Sequence, residues 1–275
     1  MTSSYLPQRI LSIEIPYRRT HIDHVIDLIV PWIARLVGPI LPRHELVLDQ
    51  LEQLGITPPH RIHEKLLNNA LREIFRILTN GWNRLDLSVL DQPTLAQWKD
   101  PGATLFLSMH HGQWEWLAGI LTRMRPDALC IARSPHHPFG KWLLRVLRSR
   151  IGLRMVYDME SARAGKEQLG HGGLIAFLAD QRPPGASRNG TWMGRPTSVT
   201  RLPEWWRSSG DIHLWTGVLH PGSTAYTLEL KSWSSDCISN WDTLLDQEFF
   251  PLLQNSPWDH FGLWHHRLRT RRPSP

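Results

Sequence analysis

The chain has 275 residues, 41% of them hydrophobic and 20% charged. That length and apolar content exclude a peptide hormone, a disulfide miniprotein and a disordered tail; they suit one large core, or a compact domain with an appended helical segment. Basic residues exceed acidic ones by six, and 26 of the 31 basic residues are arginine. Arginine's planar fork grips carboxylates and phosphates at two points, so the excess points to acidic or phosphorylated partners unless it reflects GC bias of the genome. Fourteen Trp against four Tyr point the same way, to a surface that meets something apolar and anionic. Cys130 and Cys237 each lie in an apolar, strand-like run, which implies no disulfide framework and a reducing compartment.

Taken in chain order, residues 1–100 predict a helical segment. Ile22, Val25, Ile26, Ile29, Ile33, Leu36 and Val37 recur at three- and four-residue intervals, and so do Ile62, Leu66, Leu67, Leu71, Ile74, Phe75 and Leu78. Pro58-Pro59 can open the second helix. The most apolar stretch, Val25 to Leu41, is interrupted by Asp27, Pro31, Arg35 and Pro39 and is too short to span a bilayer. The first nine residues lack the basic-then-apolar order of a signal peptide, so a cytoplasmic protein, peripheral to a membrane, is expected. From residue 101 to 272 short apolar runs alternate with longer periodic ones, predicting an α/β domain with a mixed, largely parallel sheet flanked by helices. The expected strands are Thr104–Met109, Ala128–Ala132, Leu153–Tyr157, Leu174–Ala179, Ile212–Leu219 and Tyr226–Leu230, with helices at Gln113–Met124, Gly140–Arg150 and Ser161–Leu169. Asp180 to Arg195 is too long for an ordinary connection and predicts a functional loop, with Arg182, Arg188 and Arg195 as anion contacts.

The chemistry concentrates where the strand ending at Met109 meets His110-His-Gly-Gln-Trp-Glu115 and a helix. Catalytic groups in open α/β sheets gather at that strand end. With His110 in the turn and Glu115 in the first helical turn, the carboxylate can fold back on the imidazole and fix its tautomer. The other ring nitrogen is then left to take a proton from a substrate hydroxyl. Amide donors near the helix start would steady an oxyanion. No Gly-x-Ser-x-Gly elbow is present and neither cysteine carries a nucleophile signature. No metal is expected, because His-Glu-x-x-His and paired-cysteine spacings are missing.

His110-His-Gly-Gln-Trp-Glu115 resembles the His-x4-Asp/Glu motif of glycerolipid acyltransferases, most closely the His-x-Gly-Asn-Trp-Glu form of the bacterial lipid A late acyltransferase family. Three further blocks are similar in order and spacing. They are Ile131-Ala-Arg133 with Arg148-Ser-Arg150-Ile-Gly, Leu178-Ala-Asp180-Gln181 with Trp192-Met-Gly194-Arg-Pro196, and Pro257-Trp258 through Trp264-His-His-Arg267. The resemblance implies a lipid-biosynthetic acyltransferase at the cytoplasmic face of the inner membrane, with no cofactor beyond an acyl carrier protein or coenzyme A thioester as co-substrate. His110 would be the general base and Glu115 its partner, Arg133 and Arg150 would bind phosphate or stabilise the site, and Asp180 and Gln181 would shape the substrate site. Gln113 stands where the family commonly has Asn, and Arg182 where an acidic residue is frequent.

Arg145, Arg148, Arg150 and Arg154 form a basic cluster fit to dock an acidic carrier or lipid phosphate, or else a solvated face. Trp205-Trp206 suits either a bilayer interface or the core. The alternative to catalysis is an anionic-lipid or nucleic-acid binding protein built on the Arg excess. It is the weaker reading, because the usual nucleic-acid motifs are missing and nucleic acid is not expected as a partner.

Overall fold

Thr104–Ser108 is an apolar run closed to solvent on both faces, as expected of an interior parallel strand. In the computed structural model, which describes residues 5–41, 44–135, 137–157, 160–180, 187–193 and 195–264, this run is the middle strand of a seven-stranded sheet. In chain order the elements are β1 (Arg9–Pro16), α1 (His21–Val37), α2 (His44–Gln53), α3 (Pro59–Leu78), α4 (Ala96–Lys99), β2 (Thr104–Ser108), α5 (Trp114–Met124), β3 (Leu129–Ala132), α6 (Pro138–Arg150) and β4 (Met155–Tyr157). There follow α7 (Glu160–Gly170), β5 (Leu174–Leu178), β6 (Ser187–Trp192), β7 (Arg195–Thr200), α8 (Leu202–Arg207), β8 (His213–His220), β9 (Ala225–Trp233) and α9 (Trp241–Asn255).

The strand order is β1-β9-β8-β2-β5-β3-β4. The five strands from β8 to β4 run parallel, and β9 and β1 add an antiparallel edge. The fold is α/β, as predicted, and each of the six expected strands is present within a few residues of its expected ends. Two differences stand out. The first hundred residues are not helical throughout, because β1 joins the main sheet beside β9. The passage expected as a functional loop holds β6, which pairs with β7 just beyond it in a hairpin closed by Trp192 opposite Arg195.

Alternation along the strands divides the core. Leu105 and Leu107 of β2 pack with Leu169 of α7, Trp206 of α8 and Leu244 of α9. Phe106, together with Cys130 and Ala176 of the neighbouring strands, packs with Trp116, Ile120 and Leu121 of α5 and Leu147 of α6. The chain leaves β2 through α5 toward β3, but leaves β5 in the opposite direction toward β8. Between the carboxyl ends of β2 and β5 the connections therefore diverge, opening the crevice where sheets of this kind hold ligands.

Candidate functional site at the carboxyl ends of two adjacent strands

The register of β2 on β5 brings together residues that the sequence separates by seventy positions. Ser108 lies beside Leu178, and two residues further along each chain stand His110 and Asp180. The Asp180 carboxylate grips His110 twice: Oδ1 lies 2.7 Å from the ring Nδ1, and Oδ2 accepts the His110 main-chain N–H at 3.0 Å. Both residues are buried, Asp180 at 1% exposure and His110 at 8%. An ionised carboxylate only accepts, so this contact places the ring proton on Nδ1 and makes Nε2 the basic nitrogen.

The expected pairing of His110 with Glu115 is thereby corrected. Glu115 sits in the first turn of α5, where its carboxylate takes a two-point contact from Arg148, with Nη2 to Oε1 at 2.8 Å and Nε to Oε2 at 3.1 Å. Arg148 also donates to the Tyr157 hydroxyl at 3.2 Å. Burial works against the guanidinium charge, but the Glu115 carboxylate overrides it and holds the group charged more firmly than usual. The physical reason is competition. A charged two-point pair with arginine is stronger than a single contact to a neutral imidazole, and Asp180 already occupies Nδ1.

Other predicted site residues divide in the same way. Arg133 is exposed just past β3, on the same carboxyl edge. Arg150, at the end of α6, is engaged elsewhere. It donates to the Leu78 carbonyl at 2.6 Å and to Asn80 Oδ1 at 3.0 Å, tying α6 to the end of α3. Arg154 likewise donates to the Asp127 carbonyl at 3.3 Å. Of the expected basic cluster, Arg145 alone is exposed with no hydrogen bond or ion pair among the described residues. Arg188 is bound by Glu204 at 2.6 Å and Asp242 at 2.7 Å, and Arg195 by Gln53, so both serve the fold. Trp206 is buried with its indole N–H on the Ala162 carbonyl at 3.1 Å, whereas Trp205 is 42% exposed. Gln181, Arg182 and Arg267 to Arg272 lie outside the described residues.

The turn that carries His110 is fixed by its amides. His111 N–H donates to the Met109 carbonyl, Gly112 N–H to Asp259, Gln113 N–H to Leu219 and Leu117 N–H to Gln113. Gly112 has φ +63°, and a Cβ there would stand 2.3 Å from the Leu219 carbonyl oxygen, so glycine is required at that position. The carboxyl of Glu73, a residue of α3, lies near the amides of Glu115 and Trp116, which favour its charged form. The set of helix-start donors expected for an oxyanion is thus largely committed to the fold.

Glu73 was missed by sequence reasoning. Its signal was present, because Leu66, Ala70, Glu73 and Ile77 form one helical stripe that contains a single carboxylate, and that stripe is the buried face of α3. Burial, and then repulsion from Glu115, raise its carboxyl well above the usual range. His111 is also buried, and among the described residues neither of its ring nitrogens has a hydrogen-bond partner. Burial and the neighbouring His260 and His220 rings hold it well below the usual imidazole range.

Residues 257–263 close over the site. Gly262 N–H approaches the His110 carbonyl at 3.4 Å, and a Cβ at Gly262 would lie 2.3 Å from Asp180 Oδ2 and 2.6 Å from His260 Nε2. Burial brings His260 down to about 4 and raises Asp259 to about 6, against the lowering effect of the Asn69 amide at 2.8 Å.

Trp114 packs on the His110 ring with centroids 5.4 Å apart and is stacked by Phe261 at 5.2 Å. Trp114 also lines a narrow cleft, partly open to solvent, between α5 and the sheet. Phe106, Leu117, Ala118, Leu121, Met155 and Phe177 make it apolar, and the Glu115–Arg148 pair forms its polar wall. A second, smaller pocket beside Trp114 is lined by Asn69, Glu73, Gln113 and Asp259.

The chain matches no family model, and no curated protein matches it.

Proposed function

We propose that the protein is an acyltransferase that moves a fatty acyl chain from an acyl carrier protein or coenzyme A thioester to a hydroxyl of a lipid acceptor. The observation that carries this reading is the two-point grip of Asp180 on His110 at the sheet's switch point, one tryptophan away from an apolar cleft. In the proposed reaction the acceptor hydroxyl gives its proton to His110 Nε2 as its oxygen attacks the thioester carbonyl. The Asp180 carboxylate faces the imidazolium so formed. The tetrahedral adduct then expels the thiolate, the C–S bond breaks, and the thiolate takes the proton back from His110. A base held in this way contributes roughly 10²–10⁴-fold to rate.

The cleft under α5 suits the acyl chain, being lined by aliphatic and aromatic side chains from α5, β2, β3, β4 and β5. Its resemblance to lipid A late acyltransferases supports the same assignment, since the four blocks that carry it include His110, Asp180, Arg148 and Trp258, all at or near this edge. Roles within the motif are reassigned. Asp180 orients the base, and Glu115 with Arg148 anchors the start of α5 and the cleft wall. Oxyanion stabilisation falls to the Trp114 N–H or to a side chain. Catalysis is favoured over anion binding alone because Arg76, Arg84, Arg125, Arg148 and Arg188 are consumed by carboxylates within the fold.

The test is incubation of purified protein with labelled acyl-carrier and acyl-coenzyme A thioesters and a total lipid extract, followed by identification of lipids that gain the label. His110→Ala is expected to abolish transfer with an unchanged circular dichroism spectrum. Near-normal turnover by that variant would reject the assignment.

A further inference from the structure

The smaller pocket beside Trp114 is rich in acceptors and poor in donors. Helix α3 contributes Asn69 and Glu73 to it, the turn after His110 contributes Gln113, and the closing segment contributes Trp258, Asp259 and Phe261. Glu73 is 3% exposed and Gln113 5%, and among the described residues the Oε1 of each is buried with no hydrogen-bond partner. Buried oxygens in native proteins are nearly always paired, so two orphans lining one pocket call for a donor from outside the chain. The Asn69 amide is already spent, donating to Asp259 Oδ1 at 2.8 Å and to the Trp258 carbonyl at 3.3 Å. No basic side chain lines the pocket among the described residues. Arg148 is engaged by Glu115, and the Lys65 ammonium lies over the Trp258 ring, 4.4 Å from its centroid.

We infer that this pocket binds a primary ammonium group. Three features of its lining select that chemistry. Two carboxyl groups, Glu73 and Asp259, supply the opposite charge. The rings of Trp114, Trp258 and Phe261 complete the wall, and aromatic rings attract a desolvated cation. The orphaned oxygens require hydrogens as well as charge. An ammonium carries three N–H bonds, enough for Glu73 Oε1, Gln113 Oε1 and the Asp259 carboxyl. A hydroxyl brings a single hydrogen and no charge, while a quaternary ammonium brings charge and no hydrogen. Burial raises both carboxyls, Asp259 to about 6, and repulsion from Glu115 adds to the rise at Glu73. The amides of Glu115 and Trp116 at Glu73, and Asn69 and His220 at Asp259, offset this only in part. A bound cation would favour the charged form of each.

The pocket and the base share one turn of chain. Trp114 lines the pocket and packs on the His110 ring, and Gln113 lies three residues after His110. In the acyl transfer proposed above, the pocket would select lipid acceptors that carry an amine, such as an ethanolamine or amino-sugar headgroup. That assignment of the acceptor rests on the proposed reaction, whereas binding of the ammonium is read without any turnover.

The experiment is isothermal titration of the full chain, at neutral pH, with ethanolamine, choline and glycerophosphoethanolamine. Ethanolamine is expected to bind, and choline at least about tenfold more weakly for want of N–H donors. Glu73→Gln keeps the shape of the side chain and removes its charge. It should weaken ethanolamine at least about tenfold, the scale of one charge-assisted hydrogen bond, with no loss of melting temperature. Gln113→Leu, which removes the other orphaned oxygen, serves as a second variant and should weaken binding in the same direction. Tighter binding of glycerophosphoethanolamine than of ethanolamine would mark a lipid headgroup as the source of the amine; equal or weaker binding would mark a free amine. No binding of ethanolamine, choline binding as tight as ethanolamine, or unchanged ethanolamine binding in both folded variants would each overturn the inference. Ethanolamine binding that persists where no lipid gains label would leave the inference standing and count against the acyltransferase reading alone.

Discussion

Replacing Asp180 with Asn changes one oxygen to an NH2 group and separates the two carboxylates of the site by their work. The amide side chain has a single acceptor for two donors, the His110 N–H now at 3.0 Å and the ring Nδ1–H now at 2.7 Å. If its oxygen keeps the main-chain contact, its NH2 group faces Nδ1 and forces the ring into the tautomer with hydrogen on Nε2. The base can then no longer accept the acceptor's proton, and the imidazolium loses its counter-charge. The same substitution in the His-Asp pair of serine hydrolases lowers kcat about 10⁴-fold, which is about 5.5 kcal/mol of barrier. Glu115→Gln should behave in the opposite way. It leaves the His110 contacts untouched but strands the buried Arg148 guanidinium, a loss of about 3–5 kcal/mol in stability. Turnover of folded Glu115→Gln should stay within roughly tenfold of wild type, since that carboxylate makes no contact with the base. Thiol release from an acyl thioester gives one axis and urea denaturation the other. Inactive Glu115→Gln of full stability beside active Asp180→Asn would show that the carboxylate roles assigned here are reversed.

Three further outcomes follow from the same contacts. Gly262→Ala should lower kcat about a hundredfold or more with His110 intact, as expected for a shift of about 1 Å at the base, because its methyl would stand 2.3 Å from Asp180 Oδ2. A wild-type rate would mean that the closing segment does not hold that carboxylate. Ala118→Phe fills the cleft from α5; kcat/KM for long-chain thioesters should fall at least about tenfold relative to short-chain ones, the scale of a pocket that loses several methylenes. An equal effect on both would place the acyl chain elsewhere. Asp259 is raised from 3.8 to about 6, so its contribution to stability is full below pH 4 and is lost as pH rises past about 6. Asp259→Asn should therefore be the more stable protein at pH 8, by up to about 3 kcal/mol. The advantage should vanish below pH 4 in thermal melts, and an advantage that persists there would refute burial of the charge as its cause.

Much of the fold was legible because parallel-sheet strands announce themselves. Thr104–Ser108 and Leu174–Leu178 are covered on both faces and read as continuous apolar runs, and His110 with its glycine-bearing turn marks a strand end. β1 was not legible as a strand. Arg9–Pro16 is an edge strand whose single partner, β9, lies more than two hundred residues away, and Arg9, Ser12 and Glu14 interrupt its apolar residues. The β6–β7 hairpin was hidden for a similar reason, since Gly190 and Pro196 suggest a loop and the pairing depends on Trp192 turning back onto Arg195.

The site was half legible, and the missing half has a single physical cause. Local spacing offers Glu115 to His110 and gives no measure of Arg148, which lies 33 residues away and binds Glu115 more strongly. Asp180 becomes the partner because β2 and β5 are neighbours in register, so that equal offsets past paired residues meet in space. Strand adjacency is not written in either strand, since the chain visits β3 and β4 before returning to lie beside β2. The same reasoning explains α1. Its three-and-four periodicity identifies a helix correctly, but apolar residues lie on both faces, and the inward one, which buries Ile26, Val30 and Ala34, also seats Asp23 and Asp27 on Arg72, Arg76 and Arg84, brought up by α3 and the turn after it. In both places periodicity defines the element, while a buried ion pair between distant segments decides what that element presents.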